Sequence, residues 1–154
     1  MHVVLFEPQI PPNTGNVART CAATGTVLHL VQPLGFQIDD SSLRRAGVDY
    51  WHLVDVRVHD SLHEVIDEVA REGGQAHFFS KFATRRYTDV RYAAADYLIF
   101  GKETTGLPPW LHERYGEQSV RMPMGKAMRS LNLSNTVAIA IYEALRQQDF
   151  PDLE

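Results

Sequence analysis

Three segments of the chain combine glycine with side chains that form hydrogen bonds. They are residues 8–20 (PQIPPNTGNVART), residues 100–108 (FGKETTGLP) and residues 121–135 (RMPMGKAMRSLNLSN). Glycine lets the backbone approach a flat ligand closely, and amide, hydroxyl and charged groups fix the polar edge of that ligand. Any one segment also suits an ordinary turn or helix cap, so the prediction of a ligand site depends on having all three.

The standard nucleotide motifs are missing or incomplete. The chain contains no G-x-G-x-x-G, which excludes the usual dinucleotide fingerprint. Gly101 and Gly106 have the glycine spacing of a P-loop, but Leu107 and Pro108 stand where Lys and Ser or Thr are needed. Without that ammonium and hydroxyl group, neither phosphates nor magnesium would be held.

Metal and nucleophile chemistry also lack support in the sequence. His59 and His63 faintly resemble H-E-x-x-H, but we expect them at a strand end and next to a helix cap, so they would not share a helix face and no metal is expected. No G-x-S-x-G is present, and Cys21 is predicted inside a helix as a small buried residue rather than a thiolate.

Patterns of strand and helix alternate along the chain, as in an α/β protein. Apolar runs predict strands at residues 3–6, 27–31, 53–58, 76–80, 97–100 and 119–122. A first helix, capped by Asn13 or Thr14, is predicted to end at Gly25, and a second to begin at the capping box formed by Ser61 and Glu64. Two more helices are predicted, a short one opened by residues 108–109 and a long one over residues 133–147.

This order of elements predicts a mostly parallel sheet that is covered by helices on both faces. Ligands of such sheets bind beyond the carboxyl ends of the strands. The three polar segments follow the first, fifth and sixth predicted strands, so we expect them to meet at one edge of the sheet.

Composition and charge set the class of protein. The 154 residues are 44% hydrophobic and 22% charged, which suits one domain over residues 1–154 with its own core. The sequence shows no signal peptide or membrane span, and its single cysteine fits a reducing compartment, so we expect a cytoplasmic protein. The net charge is 15 − 19 = −4, yet residues 81–92 and 119–142 are locally basic.

The three segments resemble the signature motifs of the SPOUT superfamily of knotted RNA methyltransferases. The stretches PPNTGNVARTCAATG, FGKETTGLP and RMPM…RSLNLSNTVAIAIYEALRQ are most similar to a small subfamily that 2′-O-methylates the wobble nucleotide, cytidine or modified uridine, of certain leucine tRNAs. The likeness covers residues 7–148. It implies a C-terminal deep trefoil knot, S-adenosylmethionine as cofactor, a homodimer, and tRNA bound at the anticodon loop without a separate RNA-binding domain. It implies neither DNA nor a membrane as partner.

The resemblance also assigns residues to the site. The implied cofactor pocket consists of Phe78, Phe79, Gly101, Glu103, Gly106, Met122, Ser130 and Leu131. The positions linked to catalysis are Asn13, Arg19, Glu103, Ser130 and Asn132. An arginine equivalent to Arg19 is proposed in this family to activate the hydroxyl, but a guanidinium with a pKa above 12 is a poor base. Our hypothesis is that Arg19 clamps the neighbouring RNA phosphate, which accepts or relays the proton.

Contacts with RNA are predicted from the basic residues. Candidates for phosphate contacts are Arg44, Arg45, Arg85, Arg86, Arg91, Lys126 and Arg129. Tyr87 or Trp51 is a candidate for stacking on a base of the anticodon loop. The alternatives that remain open are a non-catalytic RNA-binding module on the same scaffold, a flavodoxin-like enzyme and a structural scaffold protein.

Overall fold

The computed structural model of the chain describes residues 1–39, 41 and 48–154. The strands are β1 His2–Phe6, β2 Val27–Val31, β3 Val56–His59, β4 Ala76–Phe79, β5 Tyr97–Phe100 and β6 Ser119–Val120. The helices of the described part are α1 Pro11–Thr24, α2 Leu62–Glu72, α3 Pro109–Tyr115 and α4 Leu133–Gln147. Short 3-10 helices lie at Val48–Leu53, Tyr87–Asp89 and Gly116–Gln118. Two of the predicted phosphate contacts, Arg44 and Arg45, lie outside the described residues.

The six strands form one parallel sheet in the order β3-β2-β1-β5-β4-β6. Side chains alternate between its faces, so Val3 and Leu5 of β1 pack with α1 and α4, whereas Val4 packs with α2 and α3. The prediction of a parallel sheet covered by helices on both faces is therefore confirmed. None of the described helices is long and apolar enough to cross a membrane.

Two local sequence signals act as predicted. Gly25 follows α1 with a φ of 64°, the left-handed conformation that glycine adopts without steric cost. At the start of α2, the Ser61 hydroxyl oxygen accepts a hydrogen bond from the Glu64 backbone N–H at 3.3 Å. The Glu64 carboxylate reaches back to the backbone N–H of Asp60 at 3.0 Å.

The predicted start of α1 was wrong. The helix begins at Pro11, and Ile10 occupies the N-cap position without a side-chain cap. Two successive prolines suit the first helical turn because they are preset to a helical φ and their missing N–H groups would have no partner there. Asn13 therefore lies inside the first turn, and its side chain is free to form the long-range hydrogen bonds described below.

Two strand boundaries differ from the prediction by more than one residue. Residues 53–55 precede β3 instead of belonging to it, because Val54 N–H donates to the Trp51 carbonyl oxygen and closes a 3-10 turn. Strand β6 ends at Val120 because its partner β4 ends at Phe79. Beyond that point the chain pairs elsewhere, with Arg121 N–H donating to the Arg85 carbonyl oxygen at 2.8 Å.

Parallel pairing places the ends of β1, β5 and β6 at one edge of the sheet. Strands β1 and β5 are neighbours, and only β4 separates β5 from β6. The three polar segments begin where these strands end, so the fold brings them to a common edge as the sequence predicts.

Candidate functional site

The Glu103 carboxylate holds the first polar segment against the second. One carboxylate oxygen accepts a hydrogen bond from Gln9 N–H and the other from Ile10 N–H, each at 3.0 Å. The Asn13 side-chain amide also donates to Glu103, at 3.4 Å. Hydrogen bonds from donors to a carboxylate are among the stronger ones in proteins, so Glu103 fixes the turn that leads into α1.

Asn13 connects this carboxylate to the third segment. The Asn13 Oδ1 atom accepts a hydrogen bond from Asn132 Nδ2 at 3.0 Å. In turn, Asn132 Oδ1 caps α4, accepting from Ser134 Oγ at 2.6 Å and from Asn135 N–H at 3.2 Å. Asn13 is 7% exposed, so these bonds form in a largely desolvated place. The chain Glu103–Asn13–Asn132 brings together residues of all three segments.

A second set of contacts was not predicted from the sequence. Gln9 Oε1 accepts hydrogen bonds from Thr104 N–H at 3.3 Å and from Thr104 Oγ1 at 2.7 Å. Lys102 Nζ lies 2.6 Å from the Glu7 carboxylate, and Glu7 has a φ of 44°. The partners are 95 residues apart, and no local spacing or capping rule connects them. The polar composition of the segments was the only signal for these contacts.

Glycines shape the second segment. A Cβ atom on Gly101 would lie 2.1 Å from the carbonyl carbon of Gly106, a distance that no side chain tolerates. Gly106 has a φ of 73°, and its N–H donates to the Lys102 carbonyl oxygen at 2.9 Å. Gly101 is therefore required for the close approach and Gly106 for the left-handed turn.

The third segment exposes both apolar side chains and backbone polar groups. Met128 is 60% and Leu131 40% exposed, and Ser130 is also exposed, whereas Met122 is buried below them at 9%. Within the part of the chain that the structure describes, residues 123–131 make one backbone–backbone hydrogen bond, from Met128 N–H to the Gly125 carbonyl. The other amide and carbonyl groups of this segment are left for water or a ligand.

Eight of the candidate residues are not part of the hydrogen-bonded chain Glu103–Asn13–Asn132, and three of these eight, Arg19, Phe78 and Phe79, have other neighbours. Arg19 is exposed on α1, and its guanidinium carbon lies 4.9 Å from the centroid of the Tyr50 ring. Phe78 and Phe79 are the last two residues of β4 and point to opposite faces of the sheet. Phe79 stacks on Phe100 and shares a core cluster with Met122, whereas Phe78 packs against Tyr115.

Cys21, His59 and His63 lie outside the three segments and contact other parts of the fold. Burial raises the pKa of the Cys21 thiol to about 12, so it is not a thiolate at neutral pH. His59 forms a hydrogen bond of 2.8 Å with His29, whereas His63 stacks on Trp110. The two side chains that faintly resembled a metal motif therefore have different neighbours.

One group of side chains has the proximity that a metal ion requires. His2, His29 and Glu68 each place one nitrogen or oxygen atom within 4.8 Å of the others. However, Glu68 already accepts hydrogen bonds from Arg57 at 3.1 Å and Tyr97 at 3.0 Å. His2 begins β1, at the opposite end of that strand from the three segments. We interpret this group as a polar network between the sheet and α2.

The fold and the candidate site define a class of protein: a parallel α/β protein with three polar loops that meet at the carboxyl edge of the sheet. The family model described as the SpoU rRNA Methylase family matches residues 1–142. The chain belongs to this family and is an enzyme. The non-catalytic, flavodoxin-like and scaffold alternatives are not needed to explain it.

Individual relatives agree with the family. The chain is 47% identical over 150 residues to the tRNA (cytidine(34)-2'-O)-methyltransferase of Burkholderia pseudomallei strain 1106a, covering 97% of this chain and 96% of that protein. A solved structure described as giving insights into the 2-OH methylation of C/U34 on tRNA is 44% identical, with a TM-score of 0.90 over 96% of this chain and 95% of that one.

A more distant structure shares the fold. The SpoU methyltransferase AviRb from Streptomyces viridochromogenes, solved in complex with the cofactor AdoMet, has a TM-score of 0.84 at 24% identity. The match covers 97% of this chain and 60% of that one. At this level of identity the likeness concerns the arrangement of strands and helices.

Proposed function

We propose that the protein transfers a methyl group from S-adenosylmethionine to the ribose 2′-hydroxyl of the wobble nucleotide, cytidine or modified uridine, in tRNA-Leu anticodon loops. The observation that carries this proposal is the hydrogen-bonded chain Glu103–Asn13–Asn132, which joins the three segments at one edge of the sheet. Relatives of 47% and 44% identity whose names or descriptions specify C34 or C/U34 methylation support the choice of substrate.

The residues present fit the cofactor. Among the described residues, most backbone groups of residues 123–131 have no partner, and the segment exposes apolar side chains. Together these features match the polar edge and flat faces of an adenine. In the proposal Gly101, Glu103, Gly106, Met122, Ser130 and Leu131 hold the cofactor. Phe78 and Phe79 complete this pocket in the proposal, and Phe79 belongs to the same core cluster as Met122. When bound, the cofactor supplies an electrophilic methyl group on a sulfonium.

The residues of the protein position the substrate relative to the cofactor. Methyl transfer needs the sugar oxygen in line with the sulfonium bond, and rigid positioning of two reactants supplies much of the acceleration. Glu103 fixes the first segment through two backbone N–H groups, and Asn13 fixes the start of α4 through Asn132. Ser130 precedes this cap by two residues, so the cap anchors the backbone next to it.

Arg19 has a separate role in the proposal. It is exposed beside Tyr50 and forms no salt bridge to a described residue, so its planar guanidinium is available to an RNA phosphate. A guanidinium cannot accept a proton, since it has no lone pair to offer. In the proposal, the phosphate that Arg19 orients accepts the proton or relays it to water.

The wider architecture is also part of the proposal. We infer that residues 1–154 form one methyltransferase domain whose C-terminal part is threaded into a deep trefoil knot, and that the protein is a cytoplasmic homodimer. Exposed apolar side chains on and after α4 support the dimer: Ile139 is 43%, Tyr142 48% and Phe150 38% exposed. Sedimentation equilibrium tests this point, since a monomer at micromolar concentration contradicts it.

RNA is proposed to bind without a separate domain. Residues 81–92 and 119–142 carry seven basic side chains against one acidic one, and dimerisation doubles that surface. The exposed residues of this set are Lys81, Arg85, Arg86, Arg91, Lys126 and Arg129. Trp51 and Tyr87, the two predicted candidates for stacking on a base, are both half-buried and pack partly against the core. Neither DNA nor a membrane is a partner in this proposal.

Two measurements test the proposed function. Calorimetry with S-adenosylhomocysteine should show binding at micromolar concentration, and mass mapping of nucleosides should locate one added methyl on the ribose of nucleotide 34 in tRNA-Leu. A methyl on a base, or on another nucleotide, contradicts the substrate assignment. An absence of S-adenosylhomocysteine binding contradicts the cofactor assignment.

A further inference from the structure

A cleft of about 750 Å³ opens beside the second segment, residues 100–108, and is not explained by the cofactor pocket. Four residues form its apolar walls. Phe6 lies at the end of β1, Phe82 follows β4, and Leu107 and Pro109 lie at the start of α3. Its size is typical of clefts that bind small molecules or single nucleotides. Of the residues proposed to hold the cofactor, Gly106 lines this cleft, whereas residues 122–131 do not.

Phe82 is the most unusual feature of the cleft. Its ring is 69% exposed, yet local contacts hold it in place. Phe82 N–H donates to Ser80 Oγ at 3.2 Å, and the ring meets His112 edge to face, with centroids 5.3 Å apart and planes at 76°. His112 Nε2 lies 3.4 Å from the same Ser80 oxygen. A large ring held in water costs about 25 cal/mol for each Å² of apolar surface, which a covering ligand would recover.

The charges around the ring favour an anionic ligand. Lys81 is exposed, with its ammonium nitrogen 5.1 Å from the centroid of the Phe82 ring. Arg85 lies four residues after Lys81 and is also exposed, and residues 80–86 contain no acidic side chain. Two carboxylates line the cleft farther from these cations in the sequence: Glu7, which is paired with Lys102, and Glu113 on α3. An exposed aromatic face next to cations is how proteins bind unpaired nucleotides, since the base stacks on the ring and the phosphate lies against the cations.

The cleft is also continuous with the site. Glu7 and Lys102, paired at 2.6 Å, line it, and Lys102 directly precedes Glu103 of the hydrogen-bonded chain. A ligand in the cleft would therefore lie next to the place where the methylated ribose is expected. Thr105 and His112 supply hydrogen-bonding groups along the walls.

We propose that this cleft binds one unpaired RNA nucleotide adjacent to the methylated one, with its base stacked on Phe82 and its phosphate against Lys81. The inference rests on the proposed function, because it assumes that RNA enters at this edge of the sheet. It adds a second nucleotide subsite to that function and assigns the stacking contact to Phe82 instead of Tyr87 or Trp51.

The test uses the full-length protein and a fluorescently labelled anticodon stem-loop. Phe82→Ala should weaken binding of the stem-loop about tenfold, in the range expected for one lost stacking contact, and Phe82→Trp should bind as the wild type does. The affinity for S-adenosylhomocysteine should change less than twofold in both variants. Leu53→Ala, which removes another large exposed apolar side chain outside the cleft, is the matched control and should bind both ligands normally.

Stem-loops with a single abasic residue identify the stacked base. An abasic residue at one loop position next to nucleotide 34 should lower the affinity of the wild-type protein for the stem-loop about tenfold. The same abasic residue should not lower the affinity of Phe82→Ala any further. Equal affinity of Phe82→Ala and the wild type for the stem-loop overturns the proposal. A loss of S-adenosylhomocysteine affinity in Phe82→Ala also overturns it, because Phe82 would then belong to the cofactor site. Methyl transfer by the wild type is measured in parallel, so failure of the proposed function is seen separately from failure of the stacking subsite.

Discussion

Asn13 Oδ1 accepts a hydrogen bond of 3.0 Å from Asn132 Nδ2, although 119 residues separate the two along the chain. One partner lies in the first turn of α1 and the other caps α4. The same Asn13 side chain donates to Glu103. A single buried amide therefore fixes the relative positions of the three segments that form the candidate site, and the behaviour of variants at Asn13 follows from this geometry.

Replacing Asn13 should damage turnover more than folding. Asn13→Ala leaves Asn132 Nδ2 without its acceptor and Glu103 without one donor, which costs about 1–3 kcal/mol of stability. Misplacement of reacting groups by about 1 Å lowers rates roughly 100-fold, so we expect a kcat loss of that order. Steady-state methylation and thermal unfolding measure the two effects. Gln118→Ala, at an exposed position, should change neither, and a fully active Asn13→Ala would show that the network does not position the reaction.

Lysine should not be able to replace arginine at position 19. Arg19→Lys keeps the charge but loses the bidentate fork that matches a phosphate, so kcat should fall about tenfold. The affinity for S-adenosylhomocysteine, measured by calorimetry, should stay within twofold. Arg71→Lys, at an exposed position on α2, serves as the control. If lysine supports the same kcat as arginine, bidentate phosphate binding is not the role of Arg19.

Gly101 should be sensitive to the smallest side chain. Gly101→Ala places a Cβ atom 2.1 Å from the Gly106 carbonyl carbon, so the backbone of the second segment must move. Overpacking of this kind costs about 3 kcal/mol or more and should lower Tm by roughly 10 °C. Gly116→Ala is the matched control, because its Cβ meets nothing within 4 Å and its φ is −56°. Equal melting temperatures for both variants would contradict the close approach at Gly101.

His29 should make the protein less stable in mild acid. Burial, together with the neighbouring His2 and His59, lowers the pKa of His29 from 6.5 to about 3. The unfolded chain therefore binds a proton at pH values where the folded chain does not, and stability decreases as pH falls below 6.5. Denaturant unfolding between pH 7 and pH 5 measures this slope. His29→Gln should flatten it, whereas an unchanged slope in that variant would assign the acid sensitivity to other groups.

Local rules predicted the parts of the fold that local physics controls. Gly25 ends α1 in the left-handed conformation, and Ser61 caps α2 as its spacing with Glu64 indicates. The same rules placed Asn13 at a cap, because a short polar side chain before an apolar stripe is typical of one. They failed there because prolines can begin a helix and because Asn13 has better partners 90 and 119 residues away.

The sequence predicted which segments form the candidate site but not which side chains in them contact each other. Glycine and polar residues in residues 8–20, 100–108 and 121–135 identified the loops, and parallel pairing predicted that they meet. The pairing of Glu7 with Lys102 and of Gln9 with Thr104 depends on how these loops face each other, which no periodicity records. The exposed ring of Phe82 was missed for a similar reason, since an aromatic residue after an apolar strand normally belongs to the core.

The most direct test of the central claim compares two tRNA substrates. S-adenosylmethionine with a deuterated methyl group is incubated with the protein and either normal tRNA-Leu or the same tRNA carrying a 2′-deoxy nucleotide at position 34. Mass spectrometry of the digested nucleosides should find the labelled methyl on the ribose of nucleotide 34 in the first substrate and none in the second. Equal labelling of the two substrates, or a label on the base, would contradict the account.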